Sequence, residues 1–304
     1  MLRFQFDNIE ELQKLHYEAV LGYVKSLPAE TQNKLYRNII QLSGFEGYLA
    51  DRDAADYGWL RQFILADLTT LRVWVAGEAD KLKFMDFHDL YGSKFSNGAA
   101  NYVDAANTYN AYTLIDEMGI HVCPYCDEEY LDVVDIDGKK KRTSEFDHFF
   151  PEGKNKYPAL AMCFFNLVLS GQNCNGLKLQ SGLGASPYDE GIEDLTSLSP
   201  DLPPGINMDS VNPDECKVLL HAKRGMVENE KVLGLKDRYA SRFREAYELL
   251  LKKQHCPEEK MDELVNEGFF ASKEQIKEVL YGKPYEETKF QKTLQKLKKD
   301  LVGY

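Results

Sequence analysis

The chain has 304 residues, 43% of them hydrophobic and 28% charged, and its 49 acidic against 37 basic side chains give a net charge of −12. That is enough apolar material for a substantial core, arranged as one large domain or as a small module with helical flanks, and the second arrangement is expected. The acidic balance excludes a protein that coats nucleic acid through a general positive field, because such affinity comes from phosphate neutralisation; any contact of that kind must be local.

The best candidate for a membrane span, Phe63 to Val75, is interrupted by Asp67 and Arg72, so no crossing of a bilayer is expected. The opening Met1-Leu2-Arg3-Phe4-Gln5-Phe6-Asp7 lacks the apolar run of a secretory signal, which points to a soluble, cytoplasmic chain. Six cysteines are too few for a disulfide scaffold at this length, so the close pair Cys123 and Cys126 reads as metal-binding or redox. An acidic stretch and a strand follow Cys126, rather than the helix of a thioredoxin-like motif, which favours metal.

In chain order, Asn8 to Lys25 places Leu12, Leu15, Ala19, Leu21 and Val24 at helical spacing. Pro28 suits the first turn of a second helix, with Leu35, Ile39, Ile40 and Leu42, ended by Ser43-Gly44. A third apolar segment, Ala54 to Ala76, carries Trp59 and Trp74 as expected core anchors. Ser, Asn, Gly and Ala mark residues 94–106 as a connection, and a helix is expected from Asn107 to Met118.

Tyr130 to Ile136 reads as a strand, Asp137-Gly138 as a hairpin turn and Arg142 to His148 as the returning partner. Residues 181–215, with five prolines, are expected to be an irregular wrap. Lys217 to His221 reads as a strand and Lys236 to Lys253 as one amphipathic helix. Ser272 and Gln275 are placed for a capping box, and a last helix spans Glu286 to Val302, with Lys289, Lys292, Lys296 and Lys299 off its apolar face. The domain reading is therefore a helical region over 1–106, a core over 107–190, and an arm with a second helical region over 191–304.

Chemistry concentrates in the middle region: Cys123-Pro-Tyr-Cys126, Asp147-His148, Asn166-Leu167, and Cys174-Asn175-Gly176-Leu177-Lys178. A neutral imidazole at His148 suits a general base near pH 7, and the oxygens of Asp147 and Asn175 suit a hard cation such as Mg²⁺ or Mn²⁺. Lys178, one helical turn beyond Asn175, is placed for a phosphate contact. Two clusters could meet nucleic acid: Lys139-Lys140-Lys141-Arg142 with Lys154, Lys156 and Lys178, and the C-terminal lysines, which read equally well as a solvated face. His16, His88, His221 and His255 have no neighbours at ligand spacing, and Cys216 and Cys256 stand alone.

These strings, in this order over residues 119–190, resemble the HNH endonuclease family. The resemblance implies an α+β, mainly helical chain around a ββα-metal core, with His148 ending one strand, Asn166 opening the next and Asn175 on the following helix. It further implies metal-dependent hydrolysis of phosphodiesters, of DNA in preference to RNA. His148 would be the base, Asn166 would orient it directly or through the intervening loop, and Asp147 and Asn175 would hold the catalytic cation.

Family members with a knuckle carry a second Cys-x-x-Cys, whose first position here is Gly171. A structural Zn²⁺ would then rest on Cys123, Cys126 and Cys174, with Cys163, His121 or water as the fourth ligand. HNH nucleases with helical additions are similar to effectors of bacterial anti-phage systems, including the Septu type, which implies a separate ATPase or regulatory partner. The alternatives are an RNA nuclease and a zinc-knuckle module that binds nucleic acid or protein without cleaving.

Overall fold

The computed structural model describes residues 1–48, 56–98, 101–103 and 108–304; the expected starts of elements at Ala54 and Asn107, and part of the 94–106 connection, lie outside them. Among the described residues the chain is α+β and mainly helical, with three two-stranded antiparallel sheets. No helix among the described residues is long and apolar enough to cross a membrane. The chain divides into two compact units, one comprising Phe4–Ile120 and Leu131–Gly182, the other Met1–Arg3, His121–Tyr130 and Leu183–Tyr304.

In the first unit, α1 (Ile9–Ser26) buries Leu12, His16, Ala19, Val20 and Val24, the i, i+4, i+7, i+8 stripe of an amphipathic helix. Pro28 occupies the cap position of α2 (Ala29–Ile39), where its missing N–H is not needed. The expected third helix is two helices, α3 (Gly58–Ile64) and α4 (Leu68–Gly77). The break has a local cause: Asp67 is an N-cap whose carboxylate accepts the Thr70 N–H at 2.8 Å. Both tryptophans are buried, and Phe63 stacks between Trp74 and Phe87 with ring centroids 5.5 and 5.6 Å away.

Next, α5 (Asp86–Leu90) runs into a π turn, Tyr91–Phe95, and α6 (Ala111–Met118) starts at Asn110, whose side chain accepts the Tyr112 and Thr113 N–H groups. The hairpin forms at Asp137-Gly138, both with positive φ as a type I′ turn requires. Its partner differs from the expected one. β1 (Val133–Ile136) pairs with β2 (Lys139–Arg142), because the two-residue turn sets Ile136 directly against Lys139. The chain then leaves the ladder at Thr143, and β3 (Ser144–His148) pairs antiparallel with β4 (Leu167–Gly171), matching His148 to Leu167 and Asp147 to Val168. Hydrophobicity selects this pairing: Phe146 and all of β4 are buried, whereas β1 and β2 are mostly exposed. Helix α7 (Gln172–Lys178) follows β4 directly.

In the second unit, β5 (Thr196–Pro200) pairs with β6 (Val218–Ala222), so the stretch expected to be irregular contributes a strand. The expected helix over 236–253 is interrupted. After α8 (Val227–Leu233) come α9 (Leu235–Ala240) and α10 (Phe243–His255), separated at Ser241-Arg242, and Arg238 and Arg242 both donate to Glu128 at 2.7 Å. After α11 (Glu258–Asn266), helix α12 (Lys273–Tyr281) is capped by Ser272, but Gln275 reaches back to the Ala271 N–H, one residue beyond a standard capping box.

The last expected helix is also two, α13 (Tyr285–Thr288) and α14 (Gln295–Val302). Asp127 ends the continuity: its carbonyl accepts the Leu294 N–H and its carboxylate the Lys296 N–H, with Leu294 at φ +57°. The lysines here are only in part a solvated face, with Lys292 exposed. Lys289, Lys296 and Lys298 are buried, Lys289 against Glu193 and Lys296 against Asp300.

Candidate functional site

β3, β4 and α7 bring the middle motifs together through two matched spacings. Glu145 and Asp147, two apart on a strand, share a face; Asn175 and Lys178, three apart on a helix, share another. Asn175 Nδ2 donates to Glu145 Oε2, and Lys178 Nζ donates to Asp147 Oδ1 at 2.9 Å and to the His148 carbonyl at 2.6 Å. Lys178 is 0% exposed and Asp147 2%. The phosphate contact expected of Lys178 is therefore corrected: its ammonium is enclosed and bonded within the protein, where a buried charge needs its partner.

His148 ends β3, 7% exposed, with its ring 4.5 Å from that of Tyr91 in an edge-on contact. Its Nε2 lies 3.0 Å from the Ala161 carbonyl, which can only accept, so Nε2 carries the hydrogen and Nδ1 is the acceptor. Burial first, then the nearby Lys178 charge, pull the imidazole pKa down to about 3, keeping it neutral at pH 7. Nδ1 is 3.5 Å from Glu152 Oε1. Burial pushes the Glu152 carboxyl up to about 7, and its Oε2 is buried without a hydrogen-bond partner.

Asn166 does not touch the imidazole. Its Oδ1 accepts the Phe150 N–H at 2.7 Å, and its Nδ2 donates to the carbonyls of Phe150 and Leu160 at 3.1 and 3.0 Å. It thereby clamps the two sides of the loop between β3 and β4, and Ala161, the residue that holds His148, directly follows Leu160. His16 fixes the next residue: its Nε2 meets the Met162 carbonyl at 2.7 Å and its Nδ1 the Tyr109 hydroxyl at 2.6 Å.

A cleft of about 650 Å³ opens over these groups, lined by Asp147, His148 and Asn175 and by four residues that the sequence motifs did not mark for it: Tyr91, Glu145, Glu152 and Gln172. Glu145 had a readable signal, two residues before Asp147 on one strand. Tyr91 and Glu152 reach the cleft only through the fold. Arg142 also lines it, at the inner end of β2. Lys154 and Lys156 are exposed on the loop.

The thiols of Cys123 and Cys126, both buried in the second unit, lie within 4.8 Å of each other, a pair of the kind that contributes to a zinc site, and Cys174 is buried in the first unit. Cys163 is not one of that pair: its Sγ donates to the Phe63 carbonyl at 3.5 Å within the core. His255 and His221 make local contacts, with Asp209 at 3.0 Å and Ser199 at 2.9 Å. No protein-family model, curated protein or solved structure matches the chain.

Proposed function

We propose that the chain is a metal-dependent endonuclease of the HNH type that hydrolyses DNA phosphodiesters in the cleft at the end of β3. The observation that carries this reading is the His148 imidazole, fixed by the Ala161 carbonyl in the tautomer whose Nδ1 accepts a proton, lining the same cleft as Asp147 and Asn175.

Hydrolysis needs a water deprotonated as it attacks phosphorus and a counter-charge where negative charge develops. His148 Nδ1 takes the water proton. The resulting imidazolium keeps its Nε2–H bond to Ala161 and gains the Glu152 carboxylate, 3.5 Å away, as a counter-ion. Asn166 maintains the loop that presents Ala161 and so acts as a positioning residue. Asp147 and Asn175 carry oxygens of the type a hard cation takes, Asp147 sharing its charge with Lys178 Nζ, and Glu145 beside Asn175 adds negative charge. Mg²⁺ or Mn²⁺ held there would stabilise the departing sugar oxygen. Zinc on the Cys123 and Cys126 thiolates would be structural.

The test is incubation with supercoiled plasmid, single-stranded DNA and RNA, in Mg²⁺, Mn²⁺ or chelator, beside His148→Ala. Metal-dependent cleavage of DNA that drops at least ~10²-fold in His148→Ala, with the fold retained, is expected. Cleavage that survives His148→Ala overturns the base assignment, and cleavage of RNA alone overturns the substrate.

A further inference from the structure

The cleft is acidic, and its substrate by the reading above is a polyanion. Glu145, Asp147 and Glu152 all line it, on a chain of net charge −12. The lysine at the expected phosphate position is enclosed against Asp147. Among the described lining residues that leaves Arg142 as the permanent cation.

We propose that Arg142 is the phosphate anchor of this cleft, gripping a non-bridging oxygen of a nucleic-acid strand that runs along the β1–β2 hairpin. The inference rests on the cleft being a phosphodiester site and assigns the residue that recognises the substrate. Arg142 is preorganised for it. Nη2 donates to the Ser96 carbonyl at 3.2 Å, and the guanidinium lies over the Tyr112 ring at 5.3 Å, which fixes its plane. Nη1 is buried and has no hydrogen-bond partner. An unmade bond on a charged buried donor is costly, and a phosphate oxygen is the acceptor whose geometry a guanidinium fork matches. Lys139, Lys140 and Lys141 continue outward from Arg142 along an exposed strand, with Lys140 on the same face. This basic strand thus ends at the cleft that His148 also lines.

The experiment measures anisotropy of a short fluorescein-labelled single-stranded DNA on the His148→Ala background, so that turnover does not intervene. Adding Arg142→Ala should weaken binding at least ~10-fold and flatten the salt dependence by about one counterion. Arg142→Gln, which keeps a polar stem, should show the same loss if the alanine variant does not fold. Affinity and salt slope equal to those of the parent in a folded variant overturn the anchor. Loss of binding in a chain that cleaves nothing upholds the anchor and rejects the hydrolase reading, whereas unaltered binding with His148-dependent cleavage does the reverse.

Discussion

Lys178 and Asp147 form an ion pair closed off from solvent, Nζ to Oδ1 at 2.9 Å, with the His148 carbonyl as a second acceptor for the same ammonium. It joins α7 to β3 at the point where the proposed base leaves the strand. Lys178→Met strands a buried carboxylate and should destabilise the fold by about 3–5 kcal/mol, read from urea denaturation. Asp147→Asn combined with Lys178→Met should recover part of that loss. Strict additivity of the two substitutions would show that the pair is not coupled.

Asn166 makes three side-chain hydrogen bonds across the loop between β3 and β4. Asn166→Ala should cost about 2–4 kcal/mol, because Phe150 and Leu160 lose buried partners together. Where the variant remains folded, cleavage should fall as well, through the displaced Ala161 carbonyl. Activity at the wild-type level in that protein would dismiss the positioning role.

His16 supplies the pH dependence. Burial pulls its pKa from 6.5 down to about 4, so between those values the unfolded chain binds a proton that the folded chain does not. Stability is therefore full above pH 6.5 and falls on acidification, by about 3 kcal/mol from this residue by pH 4. His16→Gln should be less stable than wild type at pH 7, and the gap should narrow as the pH drops. A gap that stays constant from pH 7 to 4.5 would contradict this assignment.

Cys123→Ser should lower both zinc content and melting temperature more than a substitution of an exposed residue such as Lys14. Metal analysis with calorimetry reads both at once. Equal zinc and equal melting in the two proteins would remove the structural metal.

The sequence made local features legible wherever a short-range rule governs them. The stripe of α1, the buried tryptophans and the Asp137-Gly138 turn follow from periodicity or turn chemistry, whereas the pairing of β3 with β4 does not, since the turn pointed to β1 as the partner. Helix ends set by distant or competing partners were not legible. Asp67 halts one apolar run by capping the next, Glu128 accepts from arginines on either side of Ser241, and Asp127 receives the N–H groups of Leu294 and Lys296. The same distinction holds at the cleft. Residue types showed Asp147, His148 and Asn175, but only packing reveals that Lys178 faces inward and that Arg142 and Glu152 share their cavity.

The ten residues around Cys123 and Cys126 find their partners far downstream: Glu128 waits for Arg238, 110 positions later, and Asp127 for Lys296, 169 positions later. A ribosome emits these two thiols well before anything that can shelter them exists. Until those downstream residues are made, the segment carrying both thiols lacks the partners that hold it in the folded unit.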